Sequence, residues 1–210
     1  IKVKCGFRNL FDEIELIEGL SNKYGNKTQF IIDLNQAYDL PKAIRFFKEM
    51  EKFNITYIEQ PIDRNNFEDL LELSFHTDIP IALDESINNL ESIIKLLDMN
   101  CGDVFIIKPQ SIGSFSDIEK AVSMVHKAHK IPIITTSLEG IIGRLSTMHI
   151  SSANRIKNHC GLLMESIYED EDSNIPNINN GILVMPESFN TKVNEYTLGV
   201  CSDYIKNYEI

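Results

Sequence analysis

The sequence predicts an α/β protein of the (β/α)8 TIM-barrel type, N-terminally incomplete, with about seven βα strands. Three observations predict it. Short apolar runs alternate with stretches of helical periodicity along most of the 210 residues. The apolar runs are continuous rather than alternating, as expected of a parallel sheet covered on both faces. Finally, a charged residue closes each of five successive runs. These are Lys4, Asp33, Glu59, Asp84 and Lys108, at intervals of 29, 26, 25 and 24 residues. That interval suits one strand, one helix and two loops.

Each element follows from its residues. Ile1 to Cys5 forms the first strand, and the helix after it places Leu10, Phe11, Ile14, Ile17 and Leu20 at helical spacing, with Gly25 as the stop. Phe30 to Asp33 is the second strand. Its helix opens with Pro41, which suits a first helical turn, and runs through Ile44, Phe47 and Met50. Thr56 to Glu59 is the third strand, followed by a helix from Phe67 to Phe75. Pro80 to Asp84 is the fourth, with a helix through Leu90, Ile93, Ile94 and Leu97. Val104 to Lys108 is the fifth. Its helix is expected to start at Ser116, with Glu119 three residues on as a capping box. Ile131 to Thr135 is the sixth, with Gly140 to Ala153 as its helix, and a seventh strand fits Gly161 to Glu165. The tail differs. Glu169 to Asp172 is acidic, Asn174 to Asn180 is turn-rich, and Gly181 to Met185 reads as a last short strand outside the repeat. We therefore expect one barrel domain over residues 1–210, with 166–210 a tail that packs outside the repeat.

A doubly wound open sheet is the rival, but no GxGxxG phosphate loop follows any strand. A barrel also accounts for the charges, because its strand ends converge on one mouth, where active sites of this fold sit.

Composition narrows the function. A net charge of −11 argues against a nucleic-acid partner, which would call for a basic face. No apolar run is long enough for a transmembrane helix. Cys5, Cys101, Cys160 and Cys201 show no CxxC pairing and read as free thiols in a reducing compartment, the cytoplasm or a plastid stroma. The chain opens on Ile1 and enters a strand at once, so a preceding N-terminal part is expected.

The charged residues themselves form a constellation. Strand periodicity puts Lys2 and Lys4 on one face, and Asp33 and Asn35 on one face. Two lysines aimed into a barrel need carboxylates beside them. Asp33, Glu59 and Asp84 supply three hard oxygen ligands, which suit Mg²⁺, with Mn²⁺ as a substitute, rather than zinc. The competing view makes the three carboxylates helix caps that follow strands, a role Asp fills well. The five histidines are expected on helices or helix ends, as surface or packing residues.

The motifs resemble those of the enolase superfamily in its muconate-lactonizing branch. Lys2-Val3-Lys4 is similar to the family's KxK, Asp33-Leu34-Asn35 to its DxN, and Ile58-Glu59-Gln60-Pro61 to its IEQP. Leu83-Asp84-Glu85-Ser86 resembles its DES, and Ile107-Lys108-Pro109 its opposing lysine strand. Within the branch, Lys108 to Ser114 and Thr135 to Gly140 most resemble the o-succinylbenzoate synthases, although Gly140 stands where those enzymes often have Ser. The resemblance implies that Asp33, Glu59 and Asp84 bind Mg²⁺, that Lys4 is the base, and that Lys108 stabilises the developing anion. Lys2, Asn35, Glu85 and Ser137 are the candidates for support or substrate contact, with Glu85 either orienting Lys108 or purely structural. It further implies a small carboxylate substrate, elimination of water to form o-succinylbenzoate in menaquinone or phylloquinone synthesis, and an N-terminal capping domain. A homo-oligomer is compatible. Muconate cycloisomerisation and dipeptide epimerisation share the half-reaction. A non-catalytic barrel fragment and a Mg²⁺-dependent aldolase-type barrel are the alternatives of other classes.

Overall fold

The structure, a computed structural model, describes residues 1–25, 27–162, 178–179 and 182–183, with the backbone alone at 141–142, 178–179 and 183. The chain divides into two compact units, Ile1–Glu171 and Asp172–Ile210.

The first unit is a parallel sheet of six strands in sequential order: β1 (Lys2–Lys4), β2 (Phe30–Asp33), β3 (Ile55–Glu59), β4 (Ile81–Leu83), β5 (Val104–Ile107) and β6 (Ile131–Ile134). Helices connect them: α1 (Leu10–Tyr24), α2 (Leu40–Met50), α3 (Phe67–Ser74), α4 (Leu90–Asp98), then the pair α5 (Pro109–Ile112) and α6 (Phe115–Lys127). After β6 comes α7 (Ile141–Ala153). Sequential parallel pairing through helical crossovers is the arrangement that β/α alternation dictates.

The helices start where side-chain acceptors allow. Asn9, Asp39, Asn66 and Asn89 each accept a backbone N–H from the first helical turn. Asn89 and Ser92 complete a reciprocal capping box. Gly25 closes α1, as its position suggested. The start expected at Ser116 is instead capped by Ser114, whose hydroxyl accepts from Asp117 N at 3.2 Å. The reason lies just upstream. Pro109, with its preset φ, opens the unforeseen short helix α5, and Gly113 ends it at φ 106°, so the next cap falls on Ser114.

Strand parity separates two apolar layers. Ile32, Ile58, Ile81, Leu83, Phe105, Ile107 and Ile134 face the helices and join the main core with Phe46, Phe47, Leu70 and Ile93. Phe30, Phe46, Phe47 and Phe105 are completely buried, and each such burial favours folding by about 1.5–3 kcal/mol. The opposite parity gives a smaller cluster of Tyr57, Ala82, Val104, Ile106 and Ile133, with Ile31 and Cys160 against it. Both faces are therefore covered, as the continuous apolar runs predicted.

The expected seventh strand is met at its first residue. Gly161 forms a parallel bridge with Thr135, and residues 163–165 lie outside the described residues. In the second unit, β7 (Ile178–Asn179) pairs antiparallel with β8 (Ile182–Leu183). β8 falls within the last strand that was expected. β7 corrects the turn-rich reading of 174–180. Asn180-Gly181, a strong hairpin dipeptide, separates the two strands in sequence and was the overlooked signal. The acidic run 169–172 and Cys201 lie outside the described residues.

Candidate active site

Lys4, Asp33, Glu59, Asp84 and Lys108 lie at or just beyond the C-terminal ends of their strands. In register, Lys4 stands beside Asp33 and Asp33 beside Glu59. Glu59 pairs with Ala82, which places Asp84 two residues beyond it. Lys2, Lys4, Asp33, Glu59, Asp84 and Lys108 share the parity of the smaller apolar cluster. The charges therefore sit on top of Tyr57, Ala82, Val104 and Ile106, on the side of the sheet away from the helices.

Contacts tie these groups together. Lys2 Nζ donates to both oxygens of Glu59 at 2.7 Å and lies 3.0 Å from Asp33 Oδ2. Lys4 Nζ lies 3.0 Å from the same Asp33 oxygen and donates to Asn35 Oδ1 at 2.7 Å. Asn35 Nδ2 in turn donates to Glu85 Oε1 at 3.0 Å. Lys108 Nζ sits 2.6 Å from Asp84 Oδ1 and donates to Oδ2 at 2.8 Å. Glu85 thus meets Asn35, while Lys108 meets Asp84. Lys4 and Lys108 hold different carboxylates, at the ends of the first and fifth strands. Ser137 is exposed and bonds elsewhere, its backbone amide donating to Glu139 Oε2 at 2.5 Å.

The three carboxylates are not caps. The capping side chains named above are other residues, and Asp33, Glu59 and Asp84 are 1%, 2% and 7% exposed. Burying carboxylates side by side is costly unless cations meet them. Burial pushes Glu59 up to about 7, outweighing attraction to Lys2, and the neighbouring charges of Asp33 and Asp84 push the same way. Burial also acts on Asp33, but Lys2 and Lys4 prevail and hold it below the ordinary carboxylate range. Lys2 moves upward because the charges of Glu59 and Asp33 outweigh its burial.

The donor set suits a hard cation. Lys2 Nζ already bridges Asp33 and Glu59 as one positive charge between two carboxylates. Glu85 Oε2 is buried without a hydrogen-bond partner, and Asp84 Oδ1 meets Lys108 by charge alone, outside hydrogen-bond geometry. As the side chains stand, no three acidic, His or Cys groups among the described residues close around a single ion. The ammonium groups hold the oxygens instead.

Backbone strain gathers at this end of the sheet. Asn35 and Gln36 follow β2 at φ 41° and 67°, and Gln60 follows β3 at φ 38°. Gln60, completely buried, was missed as a site residue. Its Oε1 accepts from Asp84 N (2.9 Å) and Ser86 N (3.1 Å), and its Nε2 donates to Ser86 Oγ (2.8 Å), so it fixes the turn carrying Asp84. Glu13, 1% exposed, was also missed, although a charge spaced four residues from Ile17 on the apolar stripe of α1 was a usable signal. All five histidines are exposed. His159 corrects its expected placement, lying between α7 and Gly161 rather than at a helix end.

With this geometry in view, residues 1–189 match the family model of the enolase C-terminal domain-like proteins. The chain belongs to that family.

Its relatives include enolase-superfamily enzymes of the muconate-lactonizing branch. A chloromuconate cycloisomerase of Cupriavidus pinatubonensis is 31% identical over 176 residues, covering 83% of this chain and 48% of the relative. An o-succinylbenzoate synthase of Thermobifida fusca is 25% identical over 164 residues, covering 77% and 50%. Among solved structures, muconate cycloisomerase from Pseudomonas fluorescens aligns with TM-score 0.67 at 28% identity, covering 71% of this chain and 41% of that one. A dipeptide epimerase from Cytophaga hutchinsonii, complexed with Mg and D-Ala-L-Val, aligns with TM-score 0.68 at 26% identity, covering 72% and 41%. The chain spans about half the length of the curated relatives it matches. These enolase-superfamily barrels agree with the fold class read from the sequence. No helix among the described residues is long and apolar enough to cross a membrane.

Proposed function

We propose that this chain carries the catalytic barrel of a Mg²⁺-dependent enzyme that abstracts a proton alpha to a carboxylate and eliminates water to form o-succinylbenzoate. The observation that supports it most is the shared parity of two lysine-bearing strand ends and three buried carboxylates on the side of the sheet away from the helices. Asp33, Glu59 and Asp84 would hold the metal, with Mn²⁺ as a substitute. Bound there, the ion would supply positive charge against the substrate carboxylate and lower the cost of losing the α-proton.

The chain's own residues do the rest. Lys4, at the end of β1 and more exposed than Lys2, takes the α-proton on its amine nitrogen. The C–O bond to the β-hydroxyl then breaks, and Lys4 returns its proton to the departing oxygen, which leaves as water. Lys108 remains a cation, held by both oxygens of Asp84, and stabilises charge on the opposite side of the substrate. Asn35 links Lys4 to Glu85 and keeps the ammonium over the site. Lys2 maintains the carboxylates at close range. Ser137, on the loop after β6, contacts the far end of the substrate. A preceding capping domain completes the enclosure, and the ligand is a small carboxylate rather than nucleic acid or a membrane.

A second reading, cycloisomerisation of a muconate or epimerisation of a dipeptide, draws support from the 31% identity to a chloromuconate cycloisomerase and from the dipeptide epimerase alignment. Assaying the full-length protein with Mg²⁺ against the cyclohexadiene carboxylate precursor, muconate and dipeptides separates them. Dehydration of the first alone is expected. Turnover of muconate or a dipeptide alone transfers the assignment, and turnover of none removes it.

A further inference from the structure

We propose that Glu13 is a positioning residue for Lys4: a buried carboxylate that clasps the loop leaving β1 and fixes the strand end from which the lysine projects. The role rests on the reading of Lys4 as the proton carrier.

A carboxylate only 1% exposed is expensive unless its charge is met. Here backbone amides meet it. Glu13 Oε1 accepts the N–H groups of Gly6 (2.8 Å), Phe7 (3.0 Å) and Arg8 (2.9 Å), three successive residues beginning two positions after Lys4. Hydrogen bonds to a charged acceptor are roughly twice as strong as neutral ones. The pocket around the carboxylate is closed. Cys5, one residue beyond Lys4, is completely buried. Tyr38, 3% exposed, has a hydroxyl buried without a hydrogen-bond partner, and burial ahead of the charge of Glu13 raises its pKa.

The loop has been shaped for this clasp. Gly6 adopts φ 101°, and a Cβ there would lie 2.5 Å from Ala37 Cβ and 3.0 Å from Leu34 O. The chain therefore leaves β1 pressed against the β2–α2 connection, with Cys5 N donating to Asp33 O at 2.9 Å. Yet Phe7, Arg8 and Asn9 are exposed, so side-chain packing does little to hold the loop. Among the described residues, β1 is three residues long and pairs with β2 alone. The Lys4 side chain is 58% exposed and held at its tip by Asp33 and Asn35. The clasp adds the anchor that a single short pairing leaves wanting. Proton transfer demands it, because a displacement of about 1 Å can cost about 100-fold in rate.

The test uses the full-length protein and the cyclohexadiene carboxylate substrate. Glu13→Ala should lower kcat by about tenfold or more while KM and calorimetric Mg²⁺ affinity stay within about twofold, since the metal-binding carboxylates lie on other strands. Glu13→Gln retains an acceptor oxygen and should recover kcat to within about threefold of the parent. Amide exchange on the parent needs no substitution: the Phe7 and Arg8 amides should be strongly protected despite their exposed side chains. A folded Glu13→Ala with parental kcat, a parallel fall of kcat and Mg²⁺ affinity, or unprotected Phe7 and Arg8 amides would each overturn the role. A parent that turns over no substrate overturns the Lys4 reading beneath it, an outcome distinct from an active parent indifferent to residue 13.

Discussion

The two ends of the parallel sheet use the same chemistry under opposite conditions. At the N-terminal ends, Lys130 Nζ pairs with Asp103 Oδ1 at 3.2 Å, and the Asp103 side chain is 46% exposed. At the C-terminal ends, Lys2 and Lys4 pair with Asp33, whose side chain is 2% exposed. A surface hollow opens at the N-terminal ends, lined by Ile79, Pro80, Gly102, His129 and Lys130 among others, but none of its carboxylates is buried. Concavity alone thus does not distinguish a site here. What distinguishes the C-terminal end is desolvated like charge, held in place by lysines and strained turns. An exposed pair contributes about 0–1 kcal/mol, whereas removing one partner of a buried pair costs about 3–5 kcal/mol.

Four experiments break or sharpen this contrast. The largest effect belongs to Lys4→Ala. Turnover in the full-length protein should fall by about 100-fold to 10,000-fold while Mg²⁺ affinity persists, read by steady-state kinetics and calorimetry. Retained turnover would remove Lys4 from the base role.

Next is Lys2→Met, which leaves Asp33 and Glu59 without their shared cation. Because Lys2 is half-exposed, the loss should be about 1–3 kcal/mol, below the fully buried figure, in denaturant unfolding of metal-free protein. Unchanged stability would mean that the bridge carries no weight.

A third effect depends on pH. Glu59 titrates near 7 in the folded chain against an ordinary 4.5, so the folded state holds its extra proton between those values. Its contribution to stability is complete below about 4.5 and is lost as pH rises through about 7. Melting temperature of the metal-free parent should therefore decline from pH 5 to 7 more steeply than that of Glu59→Gln. Asp33 works in the other direction and in a lower window. Its depressed pKa stabilises the fold above the ordinary value of 3.8 and ceases to do so as pH falls through the folded value. Parallel melting curves for parent and Glu59→Gln would contradict the assignment.

The smallest effect belongs to the other end. Asp103→Asn retains an oxygen for Ile81 N and should alter stability by no more than about 1 kcal/mol and turnover not at all. A marked loss of activity there would erase the distinction between the two ends.

Much of the positioning scaffold was legible in residues because it depends on local rules. Continuous apolar runs and the charges that close them specify which strand ends face together, and Asn, Asp and Pro near helix starts specify where helices begin. The elements misread are those where a neighbour overrides the local rule. Pro109 and Gly113 make a short helix that displaces the next cap from Ser116 to Ser114. The loop after β6 is held by contacts that spacing did not announce: Glu139 accepts the Ser137 amide, and Thr147 donates to the other Glu139 oxygen at 2.7 Å. Gln60 belonged to a recognised motif, yet its role as the clamp on the Asp84 turn depends on two strands meeting and could not be read from spacing. The shared parity of Asp33, Glu59 and Asp84 at or just beyond three successive strand ends was readable because strand period and interval both encode it.

Titrating Mn²⁺ into the full-length protein, followed by electron paramagnetic resonance, tests most directly whether the three carboxylates hold one ion. One tightly held ion per chain is the expected result, with binding weakened in each of Asp33→Asn, Glu59→Gln and Asp84→Asn. Binding that survives all three substitutions at parental strength would contradict the account.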